Sequence, residues 1–405
     1  MVPEGWRVTR LTELADVKRG AGSQYLTYVD SPEDGVRLIR ISDFLGDSKK
    51  YILYTSAIDR FILKKEDILI AGTGATAGII FRVPDEYAGL PFSYNAPRIR
   101  PKSTSCSGYL YYYLCSDHVI RQQHALFTGN AQPFLDTKAI GGFKVFAPPL
   151  PEQKKIAQIL STWDQAITAT ERLLENSQQR KKGLMQQLLT GKKRLPGFEG
   201  EWEKTTLGAI GRISSAGVDK KIVEGEKSAR LLNYLDVFRR EFIFDHELTH
   251  EVTAPERKIA NCDVRKGDVF FTPSSETREE VGIPAVAVED MPGVVYSYHV
   301  VRFRPSRPLD LSFAAYAFQT DEFRSQTYRL CDGSGQRYVL SQDDFRSIQI
   351  TVPDLAEQKA IGLVLKAASD EILALSDRIN CLKQEKKALM QQLLTGKRRV
   401  QVEAA

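Results

Sequence analysis

The chain has 405 residues, 42% of them hydrophobic and 26% charged, which leaves room for two to four domains of ordinary globular composition. No run of 18 apolar residues occurs, so neither a membrane-spanning helix nor a membrane partner is expected, and Met1 to Arg10 lacks the apolar stretch of a signal peptide. The five cysteines (Cys106, Cys115, Cys262, Cys331 and Cys381) never fall as CxxC, which excludes a disulfide framework and a cysteine zinc ribbon and suits a reducing cytoplasm.

Residues 1–150 contain short β-rich runs, Arg37 to Ile41, Asp67 to Ile70 and Arg98 to Arg100, broken by Gly, Pro and Ser. A helix is expected from Tyr109 to Gln123, and Phe143 to Leu150 reads as a strand ended by proline. This is an α+β globule with a largely antiparallel or mixed sheet. Residues 151–191 differ in kind. Ile156, Leu160, Trp163, Ile167, Thr170, Leu174, Ser177, Lys181, Leu184 and Leu188 recur at alternating spacings of four and three, the seam of a coiled coil. Pro151 stands where a helix start tolerates it and Gly191 where a helix end wants it. A linker, 192–201, leads to a second globule, 202–351, a second helix, 352–397, and a tail, 398–405.

The second half repeats the first. Met185-Gln-Gln-Leu-Leu-Thr-Gly-Lys192 returns as Met390-Gln-Gln-Leu-Leu-Thr-Gly-Lys397, and Glu152-Gln153-Lys154 returns as Glu357-Gln358-Lys359. Ser93 to Pro101 pairs with Ser297 to Pro305, Gly5-Trp6 with Glu201-Trp202, and the helix Tyr109 to Gln123 with Phe313 to Tyr328. An eight-residue identity at one register is too long for chance, so the chain is an internal duplication. The seam returns as Ile361, Leu365, Ala368, Ile372, Leu375, Ile379, Leu382, Lys386, Leu389 and Leu393. The narrow stripe favours a partner helix, although each helix could instead lay its stripe on its own globule. If the helices pair, they run antiparallel, because a globule with a radius of gyration of about 15 Å spans a parallel pair poorly. Centring the pair near Arg172 and Asp377 sets Lys181 level with Ala368 and Lys386 level with Trp163. Two unlike globules on a pseudo-twofold rod suit duplex DNA with two separated half-sites.

The alternation of variable globules with near-identical segments, opening at PPLPEQKKIAQIL and VPDLAEQKAIGLVL and closing at LMQQLLTGK, resembles the specificity subunit of type I restriction-modification systems over essentially the whole chain. The resemblance implies two target recognition domains reading a split double-stranded DNA site, with the helices setting the spacer. It also implies docking of two adenine methyltransferase subunits and, through them, restriction-translocase subunits. No catalytic residue, metal or cofactor is expected in the chain itself.

The sequence carries only imitations of catalytic motifs. Gly72 to Gly78 lacks the Lys-Ser/Thr of a phosphate loop, and Ala147-Pro-Pro-Leu150 is not a methyltransferase motif. Pro353-Asp354 with Glu357 and Lys359 mimics a nuclease pattern at a helix start. His246-Glu247-Leu-Thr-His250 spells HExxH, and with a third ligand such as Glu276 would make a zinc metallohydrolase, but a strand-like run precedes it and a polar turn is the expectation. A coiled-coil scaffold with no DNA role is the other alternative. Charge is no guide: residues 1–150, 151–200, 201–350 and 351–405 carry +3, +4, −4 and +2.

Within the duplication, positions common to both globules should build scaffold or hold phosphate, and positions that differ should read bases. Arg98, Arg100, Arg302 and Arg304 are common and alternate on a strand, facing phosphates or forming a solvated edge; Tyr94 and Tyr298 are common and expected in the core. Base-reading candidates in the first globule are Lys18, Arg19, Ser23, Gln24, Thr73, Thr76, Asn130 and Gln132. In the second they are Ser214, Ser215, Ser274, Ser275, Thr277, Arg278, Ser334, Gln336 and Arg337.

Overall fold

The computed structural model describes residues 3–46, 49–127, 133–334 and 336–402. Its contacts divide the chain into two units, Met1–Glu171 with Asp377–Ala405, and Arg172–Ser376. Each unit therefore holds one globule, the first half of the helix that follows it, and the second half of the other helix.

In the first unit a four-stranded antiparallel sheet runs in the order Ala15–Lys18, Arg98–Pro101, Ile68–Ile70, Ile80–Arg82. Its strand Ile68–Ile70 is buried on both faces, and the two-residue period divides it. Ile68 and Ile70 face a core shared with Tyr109, Leu110 and Ile140, while Leu69 joins Ile39, Leu63 and Phe92 on the other side. Arg7–Arg10 pairs antiparallel with Lys144–Ala147, and a three-stranded sheet, Tyr28–Val29, Lys50–Ile52, Val36–Leu38, lies apart from the main one. Helices Ser107–Leu114 and Asp117–Phe127 occupy the region expected to be one helix; Cys115 and Ser116 separate them.

The second unit repeats this plan with more strand pairing. Its main sheet has five strands: Gly211–Ser214, Val301–Pro305, Val269–Phe271, Pro284–Ala287 and Phe242–Ile243, the last joining in parallel. Val269 and Phe271 face one core and Phe270 the other, as in the first unit. A four-stranded sheet, Glu251–Ala254, Lys227–Leu232, Met291–Tyr296, Asp263–Val264, includes a parallel pair of three residues each. Its first-unit counterpart is the single parallel bridge Ile39–Phe92.

The long helices are Leu150–Leu188 and Leu355–Leu394, of 39 and 40 residues. The chain turns out of each helix through a left-handed glycine, Gly191 at φ 68° and Gly396 at φ 71°. Their pairing is antiparallel inside each unit. In the first, Asp164 meets Lys386 and Glu171 meets Lys383 at 2.8 Å, so numbers rise on one helix as they fall on the other. In the second, Glu371 takes hydrogen bonds from Ser177 at 3.0 Å and from Arg180. The seam residues Ile156, Leu160, Ile167, Ser177, Leu188, Ile361, Leu365, Ala368, Ile379, Leu382 and Leu393 are buried, and Trp163, Leu174, Leu184, Ile372, Leu375 and Leu389 half-buried. The stripe also serves the globules. Ile156, Leu160 and Leu393 belong to the first core, and Leu188, Ile361 and Leu365 to the second. A helix pair and a globule-facing stripe are thus both realised.

The observed pairs, Asp164 with Lys386 and Ser177 with Glu371, fit the expected levels of the two seam lysines, and each lysine also finds a counter-charge. Lys386 bonds Asp164 and lies 5.2 Å from the Tyr112 ring centre; Lys181 bonds Glu241 and lies 5.0 Å from that of Tyr316. A cation in an apolar seam needs a counter-charge, and each copy recruits one beside an equivalent tyrosine.

Candidate nucleic-acid interface

In the first unit the chain after Ala15–Lys18 makes a close crossing. A side chain at Gly20 would place its Cβ 2.2 Å from the Phe92 carbonyl oxygen, so only glycine fits. Ala21 donates to Phe92 at 2.8 Å and Tyr94 donates back to Ala21 at 2.9 Å. Nearby, Thr73 bridges Phe134, and Leu135 donates to Gly72 at 2.8 Å. The loops carrying Arg19, Ser23, Gln24, Thr73 and Thr76 are thereby tied to the segments carrying Tyr94 and Phe134. Arg19 joins them: it lies 4.3 Å from the Tyr94 ring centre and 4.9 Å from that of Phe134, and its Nη1 donates to the Tyr94 hydroxyl. Lys18 is exposed and 3.8 Å from Asp16. Asn130 and Gln132 lie outside the described residues.

The second unit uses the same crossing. A Cβ at Gly217 would sit 2.3 Å from the Ser297–Tyr298 peptide. Val218 donates to Tyr296 at 2.8 Å, and Tyr298 donates to Val218 at 3.2 Å. Ser274–Ser275 pairs with Arg337–Val339, and Leu340 donates to Pro273 as Leu135 does to Gly72. Several candidates here hold one another. Ser274 accepts from Arg337 at 2.8 Å, Ser275 donates to Glu280, Ser214 bonds Tyr296 at 2.9 Å, and Ser215 accepts from Gln342. Arg278 packs on Tyr328 and Tyr338, with ring centres at 5.4 and 4.8 Å. Thr277, Ser334 and Gln336 are exposed. His299, its ring tilted against Tyr298 with centres 3.9 Å apart, is held below the usual histidine range by burial and then by Lys220 and Arg337, against the opposing pull of Asp219.

Two expectations need correction. Tyr94 and Tyr298 are not core: they are 45% and 48% exposed. The four common arginines lie neither on a free edge nor open to phosphate, because their strands are interior to the sheets and their guanidiniums are engaged by carboxylates. Arg98 pairs with Asp16, and Arg100 grips the buried Asp67 at 2.7 Å through two nitrogens. Arg302 pairs with Asp263 at 3.1 Å, and Arg304 grips the buried Asp268 at 2.6 and 2.7 Å. Burial, then the neighbouring Arg100, holds Arg98 below the usual arginine range. Burial pushes the Asp263 carboxyl up, but bonds from Arg265 and Arg304 outweigh it and leave it below the usual carboxylate range. Sequence alternation placed these arginines on one face; it could not show which face carries the acids.

The motif imitations have structural employment. His246 and Glu247 end a three-residue turn, and His250 lies beyond it outside any helix, so the two imidazoles do not share a helical face. Glu247 pairs with Arg240 at 3.4 Å. Glu357 is buried under Arg194, which donates at 2.5 and 2.6 Å, and Trp202, at 2.9 Å, while Asp354 caps the helix by accepting from the Glu357 amide. The glycine-rich tract forms a three-residue turn, Gly74–Thr76.

Glu357 belongs to a device that the sequence reading missed. In the first unit Glu152 is bound by Trp6 at 3.0 Å and by Arg399 at 2.7 and 3.0 Å. In each unit a tryptophan entering the globule, a glutamate opening one helix and an arginine leaving the other meet in one clamp. The next residue pins the globule. Gln153 accepts from the Cys106 amide at 2.9 Å, and Gln358 from the Asp310 amide at 3.0 Å. Arg194 and Arg399 stand at the common offset just past each TGK, which was the available signal.

Comparison with known proteins gives concordant findings. A family model described as the type I restriction modification DNA specificity domain matches residues 3–176 and again 199–384. The chain is 26% identical over 415 aligned residues to the type I restriction enzyme MjaVIII specificity subunit of Methanocaldococcus jannaschii, covering 98% of this chain and 94% of that protein. Its fold is similar, at TM-score 0.62 and 20% identity, to a chain in "Structural basis underlying complex assembly and conformational transition of the type I R-M system", covering 98% and 99% of the two chains. It is also similar to the HsdS subunit from Thermoanaerobacter tengcongensis, at TM-score 0.52 and 19% identity, over 98% of each.

Proposed function

The chain belongs to the type I restriction-modification DNA specificity family, and from that premise we propose that it reads an asymmetric, bipartite duplex site, one half through each unit. It is a specificity subunit, and catalysis belongs to partner subunits. In this reading it scaffolds two adenine methyltransferase subunits, which extrude their target base from the stack, and through them restriction-translocase subunits. The antiparallel helices set the spacer between the half-sites. Acting on DNA with these partners, it works in the cytoplasm.

The observation that carries the reading is the repeated crossing. Gly20 and Gly217, each locked by two backbone bonds beside an exposed tyrosine, present the same frame in both units. The side chains around that frame differ between units, as two readers of different letters require. Sequencing methylated adenines in cells carrying this subunit and its methyltransferase tests it. The expected result is one motif with two unlike defined halves around a fixed gap; a single uninterrupted motif overturns the reading.

A further inference from the structure

The tight glycine fixes what stands before it. Arg19 precedes Gly20 and Ala216 precedes Gly217, on backbones held by the same pair of hydrogen bonds. The frame is therefore constant and the residue mounted on it is not. The tyrosine beside it is common to both units, and the next apolar neighbour differs: aromatic Phe134 in the first, aliphatic Val339 in the second, each paired to the equivalent loop.

Arg19 is chemically distinct among the first unit's candidates. Arg98 and Arg100 are consumed by Asp16 and Asp67, and Lys18 has Asp16 within 3.8 Å. Among the described residues no carboxylate pairs with Arg19, whose contacts are two aromatic rings and a phenol oxygen. Ring packing orients a guanidinium and limits its rotamers without neutralising it. Of its five in-plane N–H groups, four remain after the Tyr94 bond, enough for the two parallel bonds that guanine O6 and N7 accept in the major groove.

We propose that the position before the tight glycine is a base-reading position in each unit, and that Arg19 there reads a guanine. Ala216, with no polar atoms beyond its backbone, leaves the equivalent letter unread by this position. Tyr94 and Tyr298 are the constant part, orienting whatever residue the position carries. The inference rests on split recognition.

The test uses the full chain with its methyltransferase partner, read by sequencing of methylated adenines. Arg19→Ala relaxes one guanine in one half-site, lowering methylation of the original sequence relative to its variants at that letter by about tenfold to a hundredfold. Arg19→Lys does the same, since a point charge loses the two-bond fork but would keep a phosphate contact. Ala216→Arg, at an exposed residue, adds a preference at one letter of the other half-site and leaves the first half unchanged. Unchanged letters with uniformly weaker methylation in both Arg19 variants overturn the proposal. So do unchanged letters in Ala216→Arg, which remains decisive if the Arg19 variants fail to fold. An unsplit motif in the parent protein would instead defeat the split-site premise, a separately visible outcome.

Discussion

The two units solve one packing problem in two ways. The first fills the space beside its paired helices with Tyr113, His118 and Phe146; ring centres lie 4.6 Å apart for His118 and Phe146, and 5.9 and 6.0 Å from Tyr113 to each. The second has Ala317, Glu322 and Thr351 at the matching positions, where they line a cavity of about 40 Å³ with Phe313, Phe318 and Phe323. Two large rings in the first unit thus stand where alanine and threonine stand in the second, and a histidine where the second has an exposed glutamate, while both units keep two helices and the paired strand there. The clamps tell the opposite story: tryptophan, glutamate and arginine are identical in both units. A core tolerates a concerted exchange of volumes, whereas a buried carboxylate tolerates no loss of its donors. The polar clamps therefore preserve the duplication better than the packing does.

The sharpest way to break this comparison is to remove a clamp. Glu152→Ala and Glu357→Ala should each cost about 2–3 kcal/mol, less than a fully buried pair because Arg399 is 46% exposed. Chemical unfolding would show it; a negligible loss in either variant would mean the clamps do not hold the units. Next comes Arg304→Lys. It forfeits the two-nitrogen grip on the buried Asp268 and should cost about 1–2 kcal/mol while leaving every recognised letter unchanged. A changed half-site would return this arginine to the DNA surface.

Smaller effects probe the unlike cores. Tyr113 Oη and His118 Nε2 are buried without a hydrogen-bond partner among the described residues, so Tyr113→Phe should be neutral or stabilise by up to about 1 kcal/mol. Ala317→Val, directed into the second unit's cavity, should add about 0.5–1 kcal/mol. Burial, then Arg121 and Lys144, holds His118 below the usual histidine range. The unfolded chain then takes up that proton first, so the stabilisation is present above about pH 6.5 and declines as pH falls through that value. His118→Phe should flatten the melting temperature between pH 7 and 5.5; an unaltered slope would assign the pH dependence to other groups.

Much of this was legible in the residues. The 205-residue repeat exposed the duplication, and the four-three spacing exposed the helices, because both signals are periodic and local. The antiparallel sense followed from the short connections. What stayed hidden depends on tertiary partners. Arg98 and Arg302 look like phosphate ligands until Asp16 and Asp263 are seen beside them. Tyr94 and Tyr298, common to both copies, read as core, yet a repeated residue can equally be a repeated surface. The clamp joins Trp6, Glu152 and Arg399 across most of the chain, and no window of sequence contains it. The glycine crossings, which bring several of the candidate loops together with an exposed tyrosine, also depend on contacts far apart in the chain.

The central claim is that each unit reads its own half of the site. Replacing residues 1–150 with the matching globule of another specificity subunit, and then sequencing methylated adenines, tests it most directly. The account expects one half of the motif to change while the other half and the gap persist. A motif altered in both halves, or in neither, would contradict it.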